Sequence, residues 1–451
     1  MSVFQIIYII LFVPCFFIAC YYAFFAIISL LSHKQKYPMV EDNQKFCIFV
    51  PCHNEEPVIA ATVNNLLKIN YNPELFDVFF IADNCSDKTA DKIRETIALT
   101  GDGKITNFHC LERNEKDPTK RGKPHALRWG MDLLEEEDKF YNKYDMFITL
   151  DADNFVDSDI LKHMNSQYLS YKENKRPVMI QSYLDSKNKN NLIARGYYVC
   201  YRYTNGFFQL PRHKLGLAVG IGGTGFAITT KFLKDIGGYN CTSLVEDLEI
   251  QTIATLKGKK IVYNHNTRIY DEKPTGLKQA TVQKTRWSQG HWFVFFKYSW
   301  RMFFRMFHPK ELKHFFKRMD CLINLAAMVN MLLAGIMSVY PVVLWIFGVP
   351  FSPPIPIITS IIFAFMILMF PVSSLLDGRK EEKKRVLIDF IPNMIAIIIN
   401  ALSYYWANIV GLLHCKNQTV WKKTAHKVTD MSSTNTTCIE STDNQITKQD
   451  E

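Results

Sequence analysis

The sequence predicts an α/β domain that carries apolar, membrane-spanning helices at both of its ends. Between residues 45 and 296, short apolar runs alternate with amphipathic segments, which is typical of parallel strands joined by right-handed helical crossovers. An apolar and aromatic run from 4 to 31 precedes this region, and three further apolar runs follow residue 320. Because a bilayer core requires about 20 apolar residues, each run is long enough to cross a membrane.

The alternating region predicts a series of strands and helices with polar residues between them. Strands are expected at 46–50, 76–82, 105–111, 146–150, 178–183, 216–229 and 260–264, and helices at 55–69, 87–99, 125–137, 245–256 and 277–296. Ligands bind beyond the carboxyl ends of the strands in such sheets. Since polar clusters follow several of these strands, we expect a binding site along that edge.

The charges that flank the apolar runs predict the membrane organisation. Lys34 and Lys36 follow the first run, which favours a cytoplasmic location for the next segment and a multi-pass protein of the plasma membrane. Spans are expected at 322–349, 355–376 and 386–413. The predicted domains are a transmembrane helix at 1–33, a cytosolic domain at 45–296, an amphipathic interface helix at 297–318, transmembrane helices at 319–415 and a mostly disordered tail at 416–451.

The number of spans and the charge of the tail predict opposite sides for the C-terminus. One span before the domain and three after it would place the tail outside the cell. Lys416, Lys422 and Lys423 instead favour a cytoplasmic tail. The sequence leaves both arrangements open, the second of which requires one apolar segment to be re-entrant.

Charge and cysteine content exclude two classes of protein. The formal net charge is +10, but many of the cations flank apolar runs, so we expect no nucleic-acid partner. The chain has 11 cysteines without CxxC or zinc-type spacing, so we expect a reduced, cytosol-facing domain without a disulfide framework.

Polar residues at the ends of the first two strands are candidates for nucleotide binding. Asp83 ends the second strand, where a carboxylate can accept hydrogen bonds from a base or ribose. Lys123 lies near a helix start that could receive a diphosphate, although a solvated basic loop is the alternative. Asn54 is equally expected to cap the next helix. The candidates that follow the first strand are Pro51, His53, Asn54 and Glu55.

Asp151 and Asp153 are candidates for binding Mg²⁺ or Mn²⁺. They follow a buried strand, and two carboxylates on a turn suit a divalent cation whose other ligands are phosphate oxygens. A match to this short pattern is expected by chance in a chain of this length. Asp157 and Asp159 have the same spacing and are interpreted as helix-capping residues.

Glu246 and Asp247 are candidates for acid–base chemistry, since they open a helix that follows a glycine-rich region. The alternative is that they only complement the helix dipole. The loop 222–225 lets its backbone approach a ligand closely, which makes Gly223 and Thr224 further candidates for the site. This loop lacks the residues of a phosphate-binding P-loop, which excludes nucleotide hydrolysis by that route.

The most specific motif is Gln-x-x-Arg-Trp, formed by Gln283, Arg286 and Trp287. Because the motif fixes three residue types, one of them the rare tryptophan, a chance match is expected at only about one position in tens of thousands. Together with the preceding motifs, it resembles the membrane-embedded branch of the family 2 glycosyltransferases, which includes cellulose, hyaluronan and poly-N-acetylglucosamine synthases. The resemblance covers residues 45 to about 300 and the flanking spans. Departures are Asn84 after Asp83, where many members have a second acid, and the single N-terminal span.

The resemblance implies a GT-A-like, Rossmann-type mixed sheet with helices on both faces. It implies that Asp83 and Asp151 bind a UDP-sugar, that Asp151 and Asp153 bind the metal, and that Asp247 of the Glu246–Asp247 pair is the catalytic base. The residues implied to line the acceptor or diphosphate part of the site are Gln283, Arg286 and Trp287, with Gly223 and Thr224 nearby.

The predicted activity is inverting, processive transfer of glucose or N-acetylglucosamine from UDP to a β-linked polysaccharide that the membrane helices conduct outward. One alternative is transfer of a single sugar to a lipid such as a polyprenyl phosphate or diacylglycerol. An alternative of another class is a transporter with a large cytosolic domain. An accessory subunit is left open.

Overall fold

The structure is a computed structural model that describes residues 3–31, 36–101, 105–348 and 388–418. The predicted span 355–376 and most of the predicted tail lie outside these residues.

Eight strands of the described chain form one mixed sheet. In chain order they are β1 (Phe46–Cys52), β2 (Phe76–Asp83), β3 (Phe108–Arg113), β4 (Met146–Thr149), β5 (Phe155–Val156), β6 (Met179–Ser186), β7 (Phe226–Thr229) and β8 (Ile261–Asp271). Their spatial order is β3-β2-β1-β4-β7-β6-β8-β5. The first four neighbours are parallel, β7 is antiparallel to β4 and β6, β6 is parallel to β8, and β5 is antiparallel to β8.

Helices pack on both faces of the sheet and at the two ends of the chain. The helices are α1 (Val3–Leu30), α2 (Glu56–Leu66), α3 (Thr89–Gly101), α4 (Lys123–Asp138), α5 (Phe140–Lys143), α6 (Ile160–Leu169), α7 (Leu192–Thr204), α8 (Leu210–Leu215), α9 (Thr230–Asp235), α10 (Glu246–Leu256), α11 (Leu277–Met306), α12 (Phe315–Leu325), α13 (Ala327–Ile346) and α14 (Phe390–Leu413). A π-helical turn, Asn205–Gln209, joins α7 to α8.

The alternation of side chains along β1 explains the two-sided packing. Phe46, Ile48 and Val50 lie in one hydrophobic core, whereas Cys47 and Phe49 lie in the core on the opposite face. Successive side chains of a strand point to opposite faces, so a strand buried on both faces is a continuous apolar run. This confirms the predicted α/β fold with helices on both faces.

Several predicted strands have different bounds or directions in the structure. The expectation of a purely parallel sheet is wrong beyond β4, and the mixed sheet implied by the family resemblance is confirmed. The predicted strand 216–229 is wrong for residues 216 to 225, since only Phe226–Thr229 is extended in the sheet. β1 continues through Pro51. A proline has no N–H to donate to a neighbouring strand, and it is tolerated here because β4 has already ended at Thr149, opposite Phe49.

The segment 297–318, predicted as a separate amphipathic helix, is divided between two helices. α11 is continuous from Leu277 to Met306, so the predicted boundary after residue 296 falls inside it. A 3₁₀ turn, Pro309–His314, separates α11 from α12. Glu311 in this turn pairs with Arg305 of α11 at 2.6 Å and with Arg318 of α12, which fixes the angle between the two helices.

Three described helices are long and apolar enough to cross a membrane, at Ile6–Leu30, Ala327–Ile346 and Phe390–Leu413. A buried ion pair docks the first of them on the domain. Arg212 of α8 donates from Nε to both oxygens of Asp320 in α12, at 2.9 and 3.1 Å. The Tyr21 hydroxyl of α1 donates to the same carboxylate. The carboxylate therefore connects three elements that are distant in sequence.

Candidate active site

A cavity of about 1430 Å³ lies beyond the carboxyl ends of β1, β2 and β4. Helices α10 and α11 and the π-helical turn close its other sides. Its volume exceeds the roughly 300–1,000 Å³ of a typical small-molecule site, so it has room for two ligands side by side. Most residues predicted from the sequence line it: Pro51, His53, Glu55, Asp83, Lys123, Asp151, Asp153, Gly223, Glu246, Asp247, Gln283, Arg286 and Trp287.

Asn54 and Thr224 are the predicted site residues that do not line the cavity. Asn54 has a φ of 56° and accepts a hydrogen bond from the Ser86 N–H at 2.7 Å, which joins the loops after β1 and β2. It does not cap α2, whose N-cap is Glu55. Thr224 Oγ1 accepts a hydrogen bond from the Asp151 N–H at 3.1 Å. Both residues therefore hold neighbouring loops of the cavity in place without lining the cavity themselves.

Asp83 is held at the end of β2 by Arg113, a residue that no sequence motif indicated. Asp83 Oδ1 accepts hydrogen bonds from Arg113 Nη1 at 2.8 Å and from the Asn84 amide at 2.7 Å. The Gly122 N–H lies 3.4 Å from Oδ2, a longer contact. Oδ1 is therefore saturated and Oδ2 retains acceptor capacity toward the cavity.

Lys123 lies at the centre of the charged part of the cavity. Its Nζ is 2.5 Å from Asp151 Oδ1, 2.6 Å from the Gly223 carbonyl oxygen and 3.9 Å from Glu246 Oε1. Burial lowers the pKa of Lys123, but the charges of Asp151 and Glu246 outweigh this effect and the pKa is raised overall. Lys123 is therefore a fixed positive charge between two acidic segments.

The acidic pair Glu246 and Asp247 begins α10 and faces the cavity. Burial raises the pKa of Glu246, against the opposing effect of Lys123. Burial, followed by the charge of Glu246, raises the pKa of Asp247 to about 7. The Asp247 carboxylate lies against the glycine-rich loop, residues 220–225, since a Cβ added at Gly223 would be 3.2 Å from Asp247 Oδ2. A carboxylate in this setting has the properties of a general base.

Asp151 and Asp153 form a donor set that fits a divalent cation. The Asp151 side chain is 40% exposed, whereas Asp153 is buried at 5% exposure. Among the described residues, no group of three or more His, Cys, Asp and Glu side chains could hold a metal. Mg²⁺ is commonly bound by one or two carboxylates together with substrate phosphates and water, so two carboxylates suffice.

Asp157 and Asp159 lie outside the cavity lining, as their interpretation as capping residues implied. Asp159 occupies the N-cap of α6, but its side chain makes no capping hydrogen bond and instead accepts one from Asn70 at 2.8 Å. Asp157 accepts a hydrogen bond from the Arg268 N–H at 2.8 Å. The capping role assigned to the Asp159 side chain is therefore wrong.

The Gln-x-x-Arg-Trp motif on α11 presents polar atoms that have no partner among the described residues. Arg286 Nε and Gln283 Oε1 are buried without a hydrogen bond. Burial lowers the pKa of Arg286, and Glu246 opposes this effect from across the cavity. The Trp287 ring makes an edge contact with Tyr197, with centroids 6.0 Å apart. Because buried polar atoms are rarely left unpaired, Arg286 Nε and Gln283 Oε1 are available to a group that enters the cavity.

Three glutamines that sequence reasoning missed hold the glycine-rich loop. The side-chain oxygens of Gln209, Gln181 and Gln251 accept hydrogen bonds from three successive N–H groups at 2.9 to 3.0 Å. The Gly220 N–H donates to Gln209, the Ile221 N–H to Gln251 and the Gly222 N–H to Gln181. The glutamines come from the π-helical turn, β6 and α10, and π-helical turns are frequent at functional sites. Their separation in sequence left no motif to find.

Comparison with known proteins identifies relatives of the region that contains the cavity. The profile described as "Glycosyltransferase like family 2" matches residues 43–290, more than half of the chain. A protein named probable glycosyltransferase YdaM from Bacillus subtilis is 22% identical over 275 residues, which cover 59% of this chain and 61% of that protein. The poly-β-1,6-N-acetyl-D-glucosamine synthase of Staphylococcus aureus is 23% identical over 254 residues, with coverage of 56% and 55%. The alignments therefore span less than two thirds of these relatives' length.

A solved structure has a similar fold. The mannosyltransferase PcManGT from Pyrobaculum calidifontis, determined in complex with GDP-mannose and Mn²⁺, superposes with a TM-score of 0.56. It is 16% identical in sequence, and the match covers 88% of this chain and 99% of that one. At this identity the similarity establishes the fold.

The glutamine support of the loop can be tested by replacing Gln251 with leucine. The Ile221 N–H would lose its acceptor, and an unpaired buried group costs about 1–3 kcal/mol, so amides of the loop should exchange about 5- to 150-fold faster with solvent deuterium. Hydrogen-exchange mass spectrometry of the intact protein measures this. Gln167→Leu is the matched control, because buried Gln167 donates to the Tyr263 carbonyl outside the cavity lining. Equal exchange of the loop in both variants would contradict the assignment.

Proposed function

This chain belongs to glycosyltransferase family 2, and from that premise we propose that it transfers glucose or N-acetylglucosamine from UDP to a growing β-linked polysaccharide, with inversion at the anomeric carbon. The continuity of the cavity is the observation that supports this activity most strongly. It joins the strand-end acids and Lys123 to the wall formed by Arg286 and Trp287, with Asp247 between them.

The donor is proposed to lie along the carboxyl ends of β1, β2 and β4. Asp83 Oδ2 would accept a hydrogen bond from the base or ribose, because Oδ1 is already occupied by Arg113 and Asn84. The diphosphate would lie beside Lys123, whose charge is held in place by Asp151. Pro51, His53 and Glu55 would line the nucleoside part of the cavity.

The divalent cation is proposed to be held by Asp151 and Asp153. Mg²⁺ or Mn²⁺ bound there would offset the negative charge that develops on the leaving diphosphate. Lys123 and Arg286 would stabilise the same charge from the protein side, since the buried Nε of Arg286 has no hydrogen-bond partner in the described residues. Lys123 must then exchange part of its contact with Asp151 for the diphosphate.

Asp247 is proposed to be the general base. It would take the proton of the acceptor hydroxyl as that oxygen forms a bond to the anomeric carbon. The bond between this carbon and the diphosphate oxygen breaks on the opposite side, and its electron pair leaves with UDP. The raised pKa of Asp247 suits this role, because a base works best when its pKa is near the working pH.

The acceptor is proposed to bind against α11. The Trp287 ring offers an apolar face to a pyranose, while Gln283 and Arg286 supply polar atoms. A polysaccharide is proposed over a single lipid acceptor because the cavity is large and its lining also includes Phe208 and Asn324, beside the apolar helices. Transfer to a polyprenyl phosphate or diacylglycerol is the alternative that the same helices support.

The transporter hypothesis has less support than either transferase, because the described cavity is centred on strand-end acids and a family 2 domain. Neither proposed reaction requires nucleic acid. Both place the enzyme at the plasma membrane, with the active site facing the cytoplasmic pool of nucleotide sugars. An accessory subunit would be an addition to this scheme.

Product analysis of the purified protein tests the proposed function. In detergent with Mg²⁺, UDP-glucose or UDP-N-acetylglucosamine should yield polymer of many sugars, because a product that stays in the cavity can be extended repeatedly. Size-exclusion chromatography of radiolabelled product distinguishes the outcomes. Lipid carrying a single sugar would support the alternative acceptor and contradict polymer synthesis, and the absence of turnover with any UDP-sugar would contradict the proposed donor.

Asp247→Asn tests the general base. Turnover should fall about 10²- to 10⁴-fold, while UDP affinity changes little. In the unaltered enzyme, kcat/KM should rise with pH and level off above about 7, because the carboxylate with its raised pKa must be unprotonated to accept the proton. Asp159→Asn is the matched control outside the cavity and should keep full activity. Turnover by Asp247→Asn near the unaltered rate would assign the base elsewhere.

A further inference from the structure

We propose that α14 does not cross the membrane, but lies along the membrane surface on the catalytic-domain side, with its exposed apolar stripe in the lipid. Its composition makes Phe390–Leu413 a candidate span. Its contacts indicate a different position, because the helix touches the catalytic domain from one end to the other.

Both ends of α14 are joined to the same domain. At its N-terminus, Asp389 Oδ1 pairs with Arg195 Nη1 of α7 at 3.1 Å. After its C-terminus, Gln418 Oε1 accepts a hydrogen bond from the Leu244 N–H at 2.8 Å, two residues before Glu246. The Gln289 amide on α11 donates to the Asn417 carbonyl. The two ends therefore contact two segments, α7 and the loop before α10, that both contribute residues to one cavity.

The middle of α14 is also packed on this domain. Lys284 Nζ of α11 donates to Ser403 Oγ at 2.6 Å. Trp292 Nε1 of α11 donates to Asn408 Oδ1 at 2.7 Å. Close approach of the backbones depends on glycine, since a Cβ added at Gly411 would lie 2.8 Å from the Gln289 nitrogen. The polar side chains of α14 are therefore bound by α7 and α11 along the length of the helix.

The length of the helix excludes a crossing with these contacts. A helix of 24 residues is about 36 Å long, and the hydrocarbon core of a bilayer is about 30 Å thick. If α14 crossed, Arg195 and Leu244 would have to lie on opposite sides of the membrane. Both belong to the domain that surrounds the cavity, and α7 and α11 contribute Tyr201 and Trp287 to its lining.

The face of α14 that points away from the domain is a continuous apolar stripe. Its residues recur every three or four positions over most of the helix and are exposed by 44% to 76%: Ile391, Ile395, Ile398, Leu402, Trp406 and Leu413. An interfacial helix has this arrangement of one apolar and one polar face. In the sequence, cations lie near both ends, Arg385 before the helix and Lys416 after it, where anionic head groups would attract them.

Lipid is the occupant of the stripe because the candidate spans adjoin it. The Asn408 amide donates to the Met328 carbonyl near the start of α13 at 2.8 Å. The side chain of Tyr405 packs against Gly335 of the same helix. α13 therefore enters the bilayer beside α14. With α14 at the surface, the basic tail and the basic loop before α14 lie on one side, which removes the conflict between span number and tail charge.

The position of α14 can be tested with epitope tags in the full-length protein. One tag is inserted after residue 381, before α14, and another is added after residue 451. In sealed vesicles, both should be accessible to protease only from the side on which an antibody against the catalytic domain binds. A tag inserted after residue 350, beyond α13, is the control and should be accessible from the opposite side. Tags before and after α14 on opposite sides would overturn the proposal.

A second measurement does not depend on tags. Leu402→Lys places a charge at the middle of α14, where a lysine at the membrane surface can extend toward water. Val339→Lys is the matched change at an exposed position of α13, where the charge would be buried in the bilayer. Leu402→Lys should leave the yield of membrane-inserted protein unchanged, and Val339→Lys should reduce it several-fold. An equal reduction in both variants would overturn the proposal.

Discussion

The arrangement of the cavity depends on the buried ammonium group of Lys123. A charge removed from water is costly unless it is paired, and Lys123 is paired with three groups from different segments: Asp151 after β4, the Gly223 carbonyl and Glu246 of α10. These contacts bring the acidic turn, the glycine-rich loop and the acidic helix start to one point. Without the cation, Asp151 and Glu246 would repel each other in a setting that water screens poorly.

The same constraint explains why the two ends of the cavity differ chemically. Near Lys123 the ammonium group is already paired with the carboxylates of Asp151 and Glu246 before any ligand binds, so a diphosphate must enter by exchange with Asp151 or by bringing its own cation. Near α11, Arg286 Nε and Gln283 Oε1 have no partner in the part of the chain that the structure describes, so that end gains hydrogen bonds when a ligand enters. Asp247 lies between the two ends, and its burial beside Glu246 gives it a pKa near neutrality.

The sequence predicted what depends on local pattern. The apolar runs identified β1 and β2, and the rule that ligands bind at strand ends brought Asp83 and Asp151 together. The site residues that the sequence did not indicate act on partners that are distant in the chain. Arg113 and Gln251 are ordinary residues of a strand and a helix, and only the fold makes them supports of the site. α14 has the composition of a membrane span. Its contacts with α7 and α11 oppose a crossing, and composition does not encode these contacts.

If Lys123 recognises a diphosphate, UDP should bind more tightly than uridine, and calorimetric titration of the detergent-solubilised protein with each ligand measures this difference. UDP should bind at least about tenfold more tightly than uridine, equivalent to about 1.4 kcal/mol. In Lys123→Met most of this difference should be lost while uridine affinity is unchanged. Equal affinities for UDP and uridine in the unaltered protein, or a difference that survives Lys123→Met, would show that Lys123 does not recognise the diphosphate.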